Sequence, residues 1–189
     1  MFEIGVVNLD RSLLQDIKRG DQNAFAELYN KYAGYMLRVA MAVTRNKMSA
    51  ADAVQESFIR VYKNIDTFDT DKAFEPWLYR ILINECNRIL GKTSNTIPVD
   101  DFLENTLQGA IEDDHKFQEY ESLYKAIESL NDENKIPIVL KYLKGFKEKE
   151  IAEILGVNVN TIKSRLFKGR QKLKNVLEIL EGGNENYGS

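Results

Sequence analysis

Residues Glu148 to Lys174 read EKEIAEILGVNVNTIKSRLFKGRQKLK, and this stretch decides the fold. Ile151, Ile154 and Leu155 give a short helix one apolar face, Gly156 stops it, and Asn158 is placed to cap a second helix. Two helices joined by so tight a turn make a helix-turn-helix. With each residue turning by about 100°, Ile162, Leu166, Gly169, Leu173, Val176 and Leu177 gather on one side of the second helix, and that side must pack inward. The outward side carries Asn160, Ser164, Phe167, Lys168 and Gln171. Lys163, Arg170 and Lys174 occupy one flank, Arg165 and Lys172 the other.

This arrangement suits duplex DNA. Short polar groups near the start of the second helix can reach base edges in the major groove, and cations on both flanks can neutralise the phosphate walls. Asn160, Thr161, Lys163 and Ser164 are the base-proximal candidates. Arg165, Lys168, Arg170 and Lys172 are candidates for phosphates, Arg165 also for a structural ion pair. The bland alternative is an amphipathic helix with its charges in water. Against it stand the preceding helix, the Gly156 turn, the Asn158 cap and the charge pattern: Val157 to Asn175 holds six basic residues and no acid.

Elsewhere the composition is that of a folded protein. Hydrophobic residues are 43% and charged residues 29% of 189 positions, which favours folding over disorder and leaves room for one good core or two small ones. The net charge of -3 hides an uneven distribution. Met1 to Thr96 carries 13 basic and 12 acidic residues, Ile97 to Tyr120 carries 1 and 7, and Glu121 to Ser189 carries 12 and 10. The acidic block lies between the halves, so the basic stripe at Val157 to Asn175 sets its own local field.

Enzymatic chemistry is poorly supplied. His115 stands alone among acids, and Cys86 sits beside Asn84, Glu85 and Asn87 without metal-ligand spacing. No Gly-rich loop with a following Lys and Ser/Thr marks a nucleotide site. We expect no catalytic residue, no cofactor and no required metal. A lone cysteine excludes an internal disulfide, and no apolar run nears the ~20 residues of a membrane span. Glu3 and Asp10 spoil a signal peptide, so the expected compartment is a reducing cytoplasm.

The first half reads as helices. Leu13, Leu14 and Ile17 form a short face ending at Gly20. Asp21 is placed to cap a longer helix bearing Phe25, Leu28, Tyr32, Met36, Val39 and Val43. Ser49 followed by Asp52 resembles the cap of a third helix. Asp66 to Glu75 is polar and loop-like, and Pro76 suits the first turn of a fourth helix stopping near Gly91. Leu123, Ile127 and Leu130 begin a second helical group running to Tyr142, within which Pro137 predicts a late start or a bend. The expected fold is therefore all-α: two small helical domains, 1–94 and 120–181, joined by an acidic linker, 95–119, with a tail at 182–189 and the helix-turn-helix in the second domain. An acid-rich stretch without periodicity cannot fix the domains together, so independent tumbling is expected.

Four strings taken in order resemble the extracytoplasmic-function group of bacterial sigma factors: AFAELYNKYAGYMLRVA (Ala24 to Ala40), DAVQESFIRVYKNIDTF (Asp52 to Phe68), FEPWLYRILINECNRIL (Phe74 to Leu90) and EIAEILGVNVNTIKSRLFKGRQKL (Glu150 to Leu173). The resemblance implies that the N-terminal domain grips the clamp helices of core RNA polymerase through Asp52, Gln55, Glu56 and Arg60. It places minus-ten promoter DNA, with a captured single-stranded base, at Asp66, Thr67, Phe68, Asp69, Lys72, Trp77, Arg80, Asn84 and Arg88. It assigns the minus-thirty-five duplex to Asn160, Thr161, Lys163, Ser164, Arg165, Lys168, Arg170 and Lys172. For Trp77 and Tyr79 a core role competes with stacking on DNA. Only Arg88 and Lys92 lie near the end of the fourth helix, where relatives often have a denser basic cluster. An anti-sigma partner, membrane-linked or soluble, is a further implication, and a stand-alone helix-turn-helix regulator is the alternative function.

Overall fold

A computed structural model of the chain describes residues 11–93 and 126–182. The expectations for the linker at 95–119 and for His115 lie outside those residues. Among the described residues every regular element is helical. The first half comprises α1 (Arg11–Lys18), α2 (Gln22–Thr44), α3 (Lys47–Asn64), a 3-10 turn (Ile65–Thr67) and α4 (Phe74–Thr93). The second has a helical turn at 126–128, then α5 (Asp132–Tyr142), α6 (Glu148–Leu155) and α7 (Val159–Gly182).

Local chemistry sets the helix ends. Asp21 accepts the N–H groups of Asn23 and Ala24 at 2.8 and 3.2 Å, satisfying donors that α2 leaves unpaired. The cap of α3 is Asn46, whose Oδ1 accepts the Ser49 N–H at 2.9 Å. Ser49, expected to cap that helix, is instead the residue receiving the cap. Gly156 ends α6 at φ 65°, a left-handed conformation that costs a glycine little, and the Val157 N–H returns to the Ala152 carbonyl at 3.0 Å. Asn158 then accepts the Asn160 N–H at 2.8 Å and starts α7. The anticipated break near Pro137 comes earlier, at Ser129 to Asn131, and Pro137 lies inside α5.

Leu28, Tyr32, Met36, Ala53, Val61, Leu78 and Leu82 are fully buried where α2, α3 and α4 pack together. Each buried side chain of leucine size contributes roughly 1.5–3 kcal/mol. In the second half Ile138, Val139, Leu140, Ile151, Ile162 and Leu166 play the same part. Gly169 lets α7 approach α5 closely: a Cβ there would fall 2.7 Å from Ile138 Cγ1.

The halves pack on each other, α4 against α6 and α2 against α5. Tyr79 of α4 meets Phe146 edge to face, with ring centroids 5.2 Å apart. Lys144 reaches Glu75 at 3.1 Å. The Arg45 guanidinium donates to the Leu130 carbonyl at 3.2 Å. The structure thus brings together two halves that the sequence reading expects to tumble independently. Contacts among the described helices join them.

Candidate nucleic-acid interface

Three surfaces carry the residues singled out in the sequence. On α7, Ile162 and Leu166 are buried, Gly169 lies against α5, and Leu173 packs on the core. That seating turns Asn160, Lys163, Ser164, Lys168, Arg170 and Lys172 to solvent and leaves Thr161 half-buried. Lys163, Lys168, Arg170 and Lys172 make no ion pair among the described residues. Arg165 differs, since its guanidinium lies 3.8 Å from Glu133 of α5. Asn160, Thr161, Ser164, Arg165 and Lys168 border an open depression with Asn131, Glu133 and Asn134. Cations without an ion pair among the described residues, on a helix that starts with short polar groups, can meet a phosphate wall while those groups meet a base edge.

The second surface is the loop between α3 and α4. Asp66, Thr67, Asp69 and Lys72 are exposed. Phe68 is not: it is 5% exposed, with its ring centroid 4.9 Å from that of Trp77 and 5.5 Å from that of Phe74. Phe68 therefore anchors the loop in the core and cannot stack on a base without leaving that cluster. Trp77 is half-buried in the same cluster. Lys18 of α1 donates to the Phe68 carbonyl at 2.7 Å and to that of Asp66 at 3.4 Å. Nothing in the sequence pointed to Lys18, because its partners are backbone atoms about fifty residues away. Asp69 Oδ1 accepts the Asp71 N–H at 3.1 Å, a local turn bond that shapes the loop's tip.

Along α4, Trp77, Arg80, Asn84 and Arg88 follow at three- and four-residue spacing and line one stripe. Arg80 is engaged by α6: its guanidinium donates to the Glu153 carbonyl and lies 4.0 Å from the Glu153 carboxylate. The third surface, on α3, exposes Asp52, Gln55 and Arg60 and half-buries Glu56. It meets the α4 stripe at Glu85, a buried carboxylate bound by both Arg60 and Arg88. The hydrogen bond that Arg88 Nε donates to Glu85 is the main reason that the Arg88 pKa is raised.

Burial pushes the Cys86 thiol up to about 12, which leaves it a poor nucleophile. Tyr32 and Tyr79 are also raised, first by burial and then by the Glu75 charge. No group of three or more potential metal ligands occurs among the described residues.

A bundle carrying a helix-turn-helix, with a second charged surface built around a loop, is an arrangement suited to a DNA-binding protein. The chain matches the family models for Sigma-70 region 2 at residues 28–96 and Sigma-70, region 4 at residues 120–173. It is 33% identical to the ECF RNA polymerase sigma-E factor of Haemophilus influenzae, covering 90% of this chain and 96% of the relative. It is 32% identical to the ECF RNA polymerase sigma factor SigW of Bacillus subtilis, covering 88% and 96%. The chain belongs to the ECF RNA polymerase sigma factors. Its fold is shared with CnrH in complex with the cytosolic domain of CnrY, at TM-score 0.69 and 23% identity over 90% of this chain and 97% of the other. The sigma factor RpoE of Bartonella quintana, solved with the anti-sigma factor NepR, aligns at TM-score 0.66 and 22% identity over 82% and 97%. The region 2 match across the first half sets aside the stand-alone regulator. No helix among the described residues is long and apolar enough to cross a membrane.

Proposed function

We propose that this sigma factor binds core RNA polymerase, recognises particular promoters and helps to open them, and that it does so by binding alone, without catalytic residues, cofactor or metal. The observation that carries the reading is the set of exposed cations Lys163, Lys168, Arg170 and Lys172, without an ion pair among the described residues and spread over both flanks and the outward side of a helix whose remaining side is fixed in a core. These cations and Asn160, Thr161 and Ser164 face the minus-thirty-five duplex, with Arg165 divided between Glu133 and DNA. Asp52, Gln55, Glu56 and Arg60 face the polymerase. The exposed loop residues Asp66, Thr67, Asp69 and Lys72, with Trp77, Arg80, Asn84 and Arg88, face the minus-ten strand, and Phe68 serves as the loop's anchor.

Capture of an extruded base offsets part of the lost stacking and pairing, so the protein shifts an opening equilibrium and makes no covalent bond. Residues 1–94 and 120–181 act as the two recognition units, with the acidic segment 95–119 complementary to a basic nucleic-acid channel. The chain works in the cytoplasm. An anti-sigma protein is its inhibitor, a reading supported by the like-folded RpoE of Bartonella quintana, solved with the anti-sigma factor NepR, and one tied to the membrane would hold it there. Transcription from host promoter fragments by core polymerase, with and without the purified chain, tests the proposal. Initiation at new start sites only when both are present supports it. Duplex binding that needs no polymerase and adds no new start site refutes it.

A further inference from the structure

Glu85 joins two surfaces that the proposed function keeps apart. Its side chain is 3% exposed, yet it binds an arginine from each surface, Arg60 of α3 at Nε and Arg88 of its own helix at Nε, the latter at 2.6 Å. Those side chains are 50% and 35% exposed, and Arg88 Nη2 also lies 4.0 Å from Glu56. A buried carboxylate is costly without cationic partners, so the two arginines are held in place. Gripping a guanidinium at Nε leaves donors on its Nη atoms for an outside acceptor.

We infer that Glu85 is a shared positioning residue, presenting Arg60 to the polymerase and Arg88 to the minus-ten strand as one hydrogen-bonded unit. The inference rests on the proposed assignment of those two arginines. Its physical content is pre-organisation: a long side chain already fixed loses less freedom when its partner arrives. Simple electrostatics gives the opposite sign for DNA, because deleting an acid beside a phosphate-binding arginine strengthens the attraction.

The test uses the full chain. It measures affinity for core polymerase and, in the holoenzyme, retention of a fluorescent random-sequence single strand, with thermal unfolding to confirm that each variant is folded. Arg60→Ala must weaken polymerase binding and Arg88→Ala must weaken strand retention; if neither does, the surface assignment itself fails. With those effects in place, Glu85→Gln is expected to weaken both, by roughly three- to tenfold each. The polymerase effect should vanish in the Arg60→Ala background and the strand effect in the Arg88→Ala background. Unchanged or tighter strand retention by folded Glu85→Gln overturns the inference, as do losses that persist in both alanine backgrounds. Arg60→Lys and Arg88→Lys keep the charge on Glu85 balanced should Glu85→Gln not fold. Losses close to those of the alanine variants support positioning through the guanidinium, and full activity of the lysine variants refutes it.

Discussion

Lys144 Nζ lies 3.1 Å from Glu75 Oε1, in a site where the lysine side chain is 4% exposed and the carboxylate side chain 14%. The rings of Tyr35, Tyr79 and Tyr32 surround the ammonium at 5.1, 5.5 and 5.9 Å from their centroids. Residues from the two halves thus share one desolvated ion pair. Removing a single partner strands a buried charge, whereas replacing both with apolar groups does not. Lys144→Ala should lower stability by about 3 kcal/mol in urea titration, and Lys144→Met with Glu75→Leu should recover most of that loss. Equal loss in the single and double variants would contradict a charge-based origin.

Gly169→Ala tests the approach of α7 to α5. Alanine gains about 1 kcal/mol of helix propensity over glycine. Its Cβ would meet Ile138 Cγ1 at 2.7 Å and Cδ1 at 3.1 Å, and overpacking of this kind costs about 1–3 kcal/mol. A net destabilisation is expected, and it should disappear when measured in an Ile138→Ala background by the same denaturation experiment.

Lys168→Ala and Lys172→Ala should each weaken binding of related and unrelated duplexes alike. Each should also reduce the slope of affinity against salt by about 1. Fluorescence anisotropy over a salt series measures both quantities. A changed base preference at constant slope would instead place the lysine at a base edge.

Within the loop, exposed and buried positions should separate. Replacing Asp69 and Lys72 together should impair permanganate reactivity of the promoter while leaving polymerase affinity intact. Phe68→Ala should cost about 3–5 kcal/mol of stability and affect every assay, because it empties an aromatic cluster.

Alkali should destabilise the chain. Cys86 is raised from 9.0 to about 12 and Tyr32 and Tyr79 are raised above 10.0, so the unfolded chain loses these protons first. Stability from the thiol is complete below about pH 9 and falls as pH rises towards 12. The urea midpoint should drop between about pH 8 and about pH 11, and Cys86 should resist alkylation at neutral pH until the chain unfolds.

The helix-turn-helix was legible in sequence because Gly156 and Asn158 punctuate it and its apolar positions keep helical spacing. The outward direction of Lys168 and Lys172 follows from the same geometry. The cap at Asn46 was hidden because Ser49 offers an equally good capping side chain and spacing alone does not rank them. Phe68 was read with its polar neighbours, although an aromatic residue in a polar loop can turn inward to meet Phe74 and Trp77. Nothing in the sequence marks Lys144 and Glu75 as a pair, or Glu85 as a partner of Arg60, since the partners come from distant parts of the chain. Pattern reading along one helix does not see across helices.

The meeting of Tyr79 with Phe146, and of Glu75 with Lys144, has a consequence for covalent continuity. Both contacts join segments lying on opposite sides of residues 94–125 in the sequence, and the peptide connection does more than lie between them. It supplies effective concentration, converting an encounter between two molecules into one within a single molecule. A proteolytic nick in that interval would make closure of the halves depend on dilution.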